Sequence, residues 1–566
     1  MKRNVLIVED QEGVGFALEQ LLMEIDNFHV DHTSSAAHSI ERISAAQSAP
    51  YDLILCDYHL GDNTNGQQLL EFLRFERHIP RCTGFIMVTG DSSYPAVASA
   101  VELVPDGYLV KPFTRVGLAA RVKHAVDKRE ALKKAYAALD QPEPDWEAAS
   151  VACNGIISDA GGFVLDALRI KAECQLKLGR WGEAASVYDK IATWRPTAWA
   201  EVGRARALRN MGHPELALDK LKAALKMFPQ FVAAYDELAA LALEDGQRRM
   251  ALDILEQAHV IVPSNRRSRQ LGLLALEEGD LERASKYLQV VVDRDRYGLM
   301  RSTEDFFGLA TALRQLGRHD EAFTVLDSLK QHFPETRPLT VRKMAAQAMV
   351  QAACNRSGDA RQTVRDALEI RDDRMEPRTQ LELAEACHHC GEEAVGREIF
   401  LHVAENWQEH PQVVASVKTV MSRVVNAEET ERAIDYSLQE LIAANNEAAR
   451  LMKAGKLDEV IGKMEVIAKR LPNHATVQAN YTQALLAWLE QHAPPKLMEL
   501  PYQSRPRQHL AAAREHLRQL AAINPEHPRL GPLQRLFSQL AGEKGLASKL
   551  SEEIPPDEPA SMVVGE

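Results

Sequence analysis

Five stretches of the chain, KLGRWGEA, NMGHPELA, EDGQRRMA, EEGDLERA and QLGRHDEA, share one design: a glycine, four residues, then an alanine. The glycines are Gly179, Gly212, Gly246, Gly279 and Gly317, and the alanines are Ala184, Ala217, Ala251, Ala284 and Ala322. Proline follows twelve residues after the alanine at Pro196, Pro229, Pro263 and Pro334. Seven residues before each glycine stands a small residue: Ala172, Ala205, Ala239, Gly272 or Ala310. A recurrence of roughly 34 residues is the period of a stacked helix hairpin. Small residues let two helices approach, glycine turns the hairpin, and proline ends the second helix. One hairpin cannot bury its own apolar face, so such units must stack. The larger part of the chain is therefore expected to be an all-α solenoid.

Weaker copies follow. Gly391 and Gly455 take the turn position, and Pro472 closes the latter repeat. ATVQANYTQALLAWLEQ (475–491) and LAAAREHLRQLAAI (510–523) read as one more hairpin, interrupted by HAPPKLMELPYQSRP. The regular repeats are assigned to 165–336 and the degenerate ones to 337–545. The acidic, proline-rich tail at 546–566 is expected to be disordered. Extended backwards, the register places Ala137 and Ala149 in the two small-residue positions, with a turn at QPEPD. Residues 129–164 are thus expected to be a connecting helix and a first degenerate repeat, the helix running unbroken over 114–140.

The first 128 residues obey a different rhythm. NVLIV (4–8), FHVDHT (28–33), LILCD (53–57), FIMVT (85–89) and GYLV (107–110) are strand-like, with helical spacing between them. Alternating strand and helix implies a doubly wound parallel sheet, which binds ligands at the carboxyl ends of its strands. Glu9 and Asp10 follow the first strand, Asp57 ends the third, Thr89 ends the fourth and Lys111 follows the fifth. Asp57 terminates an apolar run, where a carboxylate is costly unless it is paired or used. Three crowded carboxylates raise one another's pKa unless a cation joins them, and a hard divalent ion such as Mg²⁺ suits oxygen ligands beside a phosphate. Lys111 adds a point charge for phosphate and Thr89 a hydroxyl donor. The set points to phosphoryl transfer onto a carboxylate. The GxxxxGK[ST] loop of nucleotide hydrolysis is absent from the sequence.

On these residues, VLIVED, LILCDYHL, IMVTG and YLVKPF, the segment 1–128 resembles the receiver domain of two-component response regulators. The resemblance implies a flavodoxin-like sheet of strand order 2-1-3-4-5, with Asp57 as phosphoacceptor. It implies that Glu9, Asp10, Asp57 and the carbonyl of His59 hold Mg²⁺, that Lys111 pairs with the phosphoryl group, and that Thr89 and Tyr108 act as switch residues. It also implies a cis Lys111–Pro112 bond. Two positions depart from the family's habit: Gly90 stands where alanine is common and Gly61 where proline is common. The repeats, in turn, resemble tetratricopeptide (TPR) repeats, whose first helices line a concave groove. In that register Arg169, Arg206, Arg209, Arg266, Arg269 and Arg314 point towards the groove, where arginine forks suit partner carboxylates.

Composition narrows the function. A net charge of −13 disfavours broad nucleic-acid binding, which needs a basic face. No apolar run approaches the roughly 18 residues that span a bilayer. Seven scattered cysteines suggest reduced thiols and a cytoplasmic protein. CHHC at 387–390 lacks a second ligand pair at zinc spacing and reads as core. The expected function is that of a response regulator, not an enzyme beyond its own phosphoryl chemistry. A sensor histidine kinase supplies the phosphoryl group, and the repeats bind an unidentified signalling protein under its control. The competing reading is a phosphate sink that restrains the kinase or a sister regulator. Hidden catalysis in 350–566 and transcriptional output are weaker readings, since neither a catalytic pair nor a DNA-binding module stands in the sequence.

Overall fold

The computed structural model describes residues 3–46, 49–61, 65–75, 77–90, 105–159, 162–194, 197–294, 302–494, 497 and 500–541. The tail at 546–566, Pro196, and residues 495, 496, 498 and 499 of the long insertion lie outside the described residues. The chain divides into two units, Met1–Glu321 and Ala322–Glu566, each with its own packing. Among the described residues no helix is long and apolar enough to cross a membrane.

The first unit begins with a parallel sheet of β1 (Arg3–Val8), β2 (Phe28–Thr33), β3 (Leu53–Asp57), β4 (Gly84–Thr89) and β5 (Gly107–Val110), in the order β2-β1-β3-β4-β5. Val5 stands opposite Leu53, and Leu53 opposite Gly84. Every residue of β3 and β4 is buried, which is why both read as continuous apolar runs. Alternate side chains serve opposite faces. Leu6, Ile54, Phe85 and Met87 pack with Leu69 and Leu73 of the helix Gly66–Phe75. Val5, Ile7, Leu55, Ile86 and Val88 pack with Leu18 and Leu22 of Glu12–Ile25, and with Leu118 and Val122.

Those last two belong to the helix Arg115–Leu139, capped by the Thr114 hydroxyl, which accepts from the Gly117 amide. Its first half completes the sheet's core. Its second half, through Leu132, Ala135 and Leu139, packs with Ala149 and Cys153 of Trp146–Ser158 and with Ala167 of Val164–Lys177. One helix therefore serves two cores. The backward-extended register is corrected in one detail: Ala137 is exposed and Ala135 takes the buried place. The connection 140–145 is longer than Leu178–Arg180 in the next pair, so a fixed spacing counted backwards stops short.

Helix pairs then follow in register up to the unit's end. Gly179, Gly212, Gly246, Gly279 and Gly317 all adopt left-handed φ, between 71° and 80°, a conformation that L side chains resist. Ala184, Ala217, Ala251 and Ala284 are fully buried five residues later. At the small-residue position of its pair, Gly272 is closely covered: a methyl there would lie 2.5 Å from Leu288 Cγ.

In the second unit Arg337–Ala353 pairs with Ser357–Glu369, and Pro377–His389 with Glu393–Asn406. Gly391 and Gly455 keep the left-handed turn, with φ of 82° and 73°. The turn before Ser357 uses Asn355 at φ 60°, a position the glycine pattern does not reveal; asparagine is among the few residues tolerant of that region. Ala348 and Ala360 are fully buried on either side of it, so the register survives the substitution. A helix of 27 residues, Ala427–Lys453, leads through Gly455 into Leu457–Arg470. Ala475–His492 and Arg505–Ile523 form the hairpin read from the sequence, and a further helix, Leu530–Ala541, shares their core. Cys387 and Cys390 lie in the core beneath Phe400, where burial pushes their thiols up to about 12 and about 11.

Candidate functional site

Because β1, β3, β4 and β5 run parallel, their last residues meet on one rim. Ligand oxygens of Glu9, Asp10 and Asp57 all lie within 4.8 Å of one another, the one such cluster among the described residues. Glu9 and Asp57 are buried, while Asp10 is exposed. Lys111 Nζ donates to Glu9 at 2.9 and 3.1 Å and lies 3.1 Å from Asp57 Oδ2. Burial raises the Glu9 pKa; the Lys111 hydrogen bond pulls against it and the charge of Asp57 adds to it. Burial alone would lower the Lys111 pKa, but the hydrogen bonds to Glu9 and Asp57 outweigh it and raise it. Three carboxylates thus face one ammonium, with negative charge in surplus. An all-oxygen donor set carrying that surplus fits a hard divalent cation.

The backbone around this rim is tightly specified. Gly61 has φ 67°, which proline cannot adopt, and a methyl there would lie 2.7 Å from Asp10 Oδ2. At Gly66, which opens the helix Gly66–Phe75, a methyl would overlap the Asp57 carbonyl oxygen. His59 is exposed and bridges to Asn65. Thr89 is fully buried, and its carbonyl accepts from the Lys111 amide at 2.7 Å. Tyr108 packs, half-buried, against the cluster holding Leu69, Phe85 and Met87, and burial raises its phenol pKa. The Lys111–Pro112 bond is cis.

The groove arginines meet carboxylates from the neighbouring helix pair. Arg206 Nε donates to Glu237 at 2.6 Å, and Arg209 Nη1 lies 3.0 Å from the same carboxylate. Arg269 Nε donates to Asp305 at 2.6 Å, and its Nη2 bonds the second oxygen. Arg267, unremarkable in the sequence, clamps Asp236 through two bonds of 3.1 Å. In the second unit Arg342 clamps Glu382 through two bonds of 2.8 Å. Arg169 lies 5.4 Å from the centroid of Trp199. Arg266 lines a cavity together with Arg169 and Arg206.

Two family models match the chain. Residues 5–123 fit the response regulator receiver domain, and residues 306–336 fit a tetratricopeptide repeat. A receiver-domain match and a tetratricopeptide-repeat match therefore stand in one chain, at residues 5–123 and 306–336. Response regulator ArlR of Staphylococcus haemolyticus is 32% identical over 152 residues, 27% of this chain and 64% of that protein. Its namesake in Staphylococcus epidermidis is 29% identical over 160 residues, 28% of this chain and 62% of that one. The chain thus spans less than two thirds of the length of these curated relatives. Among solved structures, a tetratricopeptide repeat protein from Parabacteroides merdae is 14% identical, the match covering 47% of this chain and 98% of that one at TM-score 0.27.

Sequence reading passed over the residues that fasten receiver to repeats. Lys128 Nζ lies 2.9 Å from both Asp106, before β5, and Asp166, in the helix Val164–Lys177. Burial would lower its pKa, but those two carboxylates raise it. Arg129 pairs with Asp52 at the start of β3. A Lys–Arg pair midway along a helix shared by two cores was the available signal, but its partners are distant in sequence.

Proposed function

We propose that this chain is a response regulator of a two-component phosphorelay, in which Asp57 accepts a phosphoryl group from a phosphohistidine of a sensor kinase. The donor's N–P bond breaks as an O–P bond forms at the Asp57 carboxylate, and the imidazole nitrogen keeps the electron pair. Glu9, Asp10, Asp57 and the main-chain carbonyl of His59 would hold Mg²⁺, which when bound supplies positive charge to the phosphoryl oxygens. Lys111 hands its hydrogen bond from the Asp57 oxygen to a phosphoryl oxygen. The Thr89 hydroxyl and the Tyr108 ring register the roughly −1.5 to −2 charges that arrive. The repeats are the output, binding a signalling protein; Arg206, Arg209 and Arg269 hold carboxylates of the neighbouring helix pair, and with Arg266 they are the residues offered to that partner. A cytoplasmic location belongs to this reading, in keeping with cysteines that are all free.

The observation that carries it is Lys111 bridging Glu9 and Asp57, with Asp10 within ligand reach of both. Labelling with a small phosphodonor and Mg²⁺ tests it. Asp57→Asn is close in shape but forms no acyl phosphate, so label should vanish. Label retained in that variant would overturn the assignment.

A further inference from the structure

Receiver and first repeats enclose a half-open cavity of about 1170 Å³. One wall is the receiver's segment 77–81, ahead of β4; the other is built by the helices Val164–Lys177 and Ala198–Asn210. The receiver wall is pinned in place. The Arg81 amide donates to both Asp140 oxygens at 3.0 Å, its guanidinium lies 3.9 Å from Glu173, and Arg77 reaches the Pro142 carbonyl at 3.5 Å.

The lining has a definite chemistry. Arg77 and Arg81 face it from the receiver, and Arg169, Lys177, Arg206 and Arg266 from the repeats. Asp140 and Glu173 are the only carboxylates among the described lining residues, and both already attend Arg81. Arg206 keeps Glu237 and Arg169 keeps its contact with Trp199. Trp146, Tyr188, Trp199 and Phe231 line the same cavity. A cleft whose lining holds more cations than carboxylates draws negative charge. Its volume exceeds the roughly 300–1,000 Å³ of small-molecule sites, which suits a length of chain better than a metabolite.

We propose that this cavity receives an acidic segment of a partner protein, with apolar residues among its carboxylates, and that the receiver supplies one of its two walls. The proposal rests on the reading of the repeats as a protein-binding output and locates that output. It also connects the output to Asp57. The helix Gly66–Phe75 starts against the Asp57 carbonyl, and near its other end Arg74 donates to the Pro80 and Thr83 carbonyls at 2.7 and 2.5 Å and lines the cavity. A shift at Asp57 therefore moves the receiver wall along with the rod that joins them.

The test uses the full chain and a fluorescein-labelled peptide of alternating glutamate and leucine, read by anisotropy, with a lysine–leucine peptide as control. The acidic peptide should bind and the basic one should not. Arg81→Glu on the receiver wall and Lys177→Glu on the repeat wall should each weaken binding by about tenfold or more, because each sets a like charge against the acidic peptide. Arg77→Glu, exposed on the same wall, gives the same readout should Arg81→Glu fail to fold. Binding lost in Lys177→Glu but unchanged in both receiver variants would overturn the composite site, as would equal binding of the two peptides. Failure of the phosphoacceptor reading shows up separately, as label that survives Asp57→Asn.

Discussion

The rim of the sheet and the arginine rows of the repeats are both made of charged side chains, yet their charges are balanced in opposite ways. On the rim, Glu9 and Asp57 share the ammonium of Lys111 with Asp10 close to both, and burial holds the Glu9 pKa up. Along the repeats, Arg206, Arg267 and Arg269 each meet a carboxylate of the adjoining helix pair. Surplus negative charge on the rim suits a cation. Matched charge fixes one helix pair against the next. Loss of a charge should therefore remove chemistry on the rim and stability in the repeats.

The largest test of that contrast is Arg269→Ala. Asp305 is 1% exposed, so removing its partner strands a buried carboxylate, and a loss of about 3–5 kcal/mol is expected. Urea denaturation followed by circular dichroism measures it; an unmoved transition would break the comparison. Gly279→Ala should cost about 1–2 kcal/mol, because φ of 74° is a left-handed conformation that alanine resists. The same melts report it, and Asp57 labelling serves as the control that the rim is untouched.

On the rim the effect belongs to pH. A carboxyl with a raised folded-state pKa holds its proton more tightly in the folded protein, so Glu9 favours the fold below that pKa and opposes it above. Mg²⁺ requires the ionised form. Its affinity should therefore fall as pH drops through the raised Glu9 pKa, earlier than an ordinary glutamate would dictate, and Glu9→Gln should weaken binding and remove that dependence. Calorimetric Mg²⁺ titrations across the acidic range decide it; a flat profile in the native chain would count against the site. The smallest expected change is the stability of Asp57→Asn, within about 1 kcal/mol, since the amide keeps the shape and relieves repulsion while Lys111 retains Glu9. A loss as large as that of Arg269→Ala would erase the distinction between the two regions.

Much of this was legible in the sequence. The turn glycines, the buried alanines five residues on, and the strands with their terminal acids all stand where spacing placed them. Where spacing failed, a local irregularity was responsible. The longer 140–145 connection moved the buried contact from Ala137 to Ala135, and Asn355 replaced a turn glycine. Leu530–Ala541 escaped notice because it has no repeat partner to announce it.

Sequence by itself determined what depends on neighbours along the chain: hairpin turns, strand ends, and the helix that continues from receiver to repeats. These follow from backbone conformation and from periodicities of 2 and 3.6 residues, which a linear string records. Only the tertiary structure decided which carboxylate each arginine meets, since Arg206 with Glu237 and Arg269 with Asp305 depend on how successive pairs rotate as they stack. It alone brought Arg81 to Asp140 and Lys128 to Asp106 and Asp166, making the receiver a wall of the repeats' cavity. Those contacts join residues far apart in sequence through three-dimensional packing, and no spacing rule along the chain encodes them.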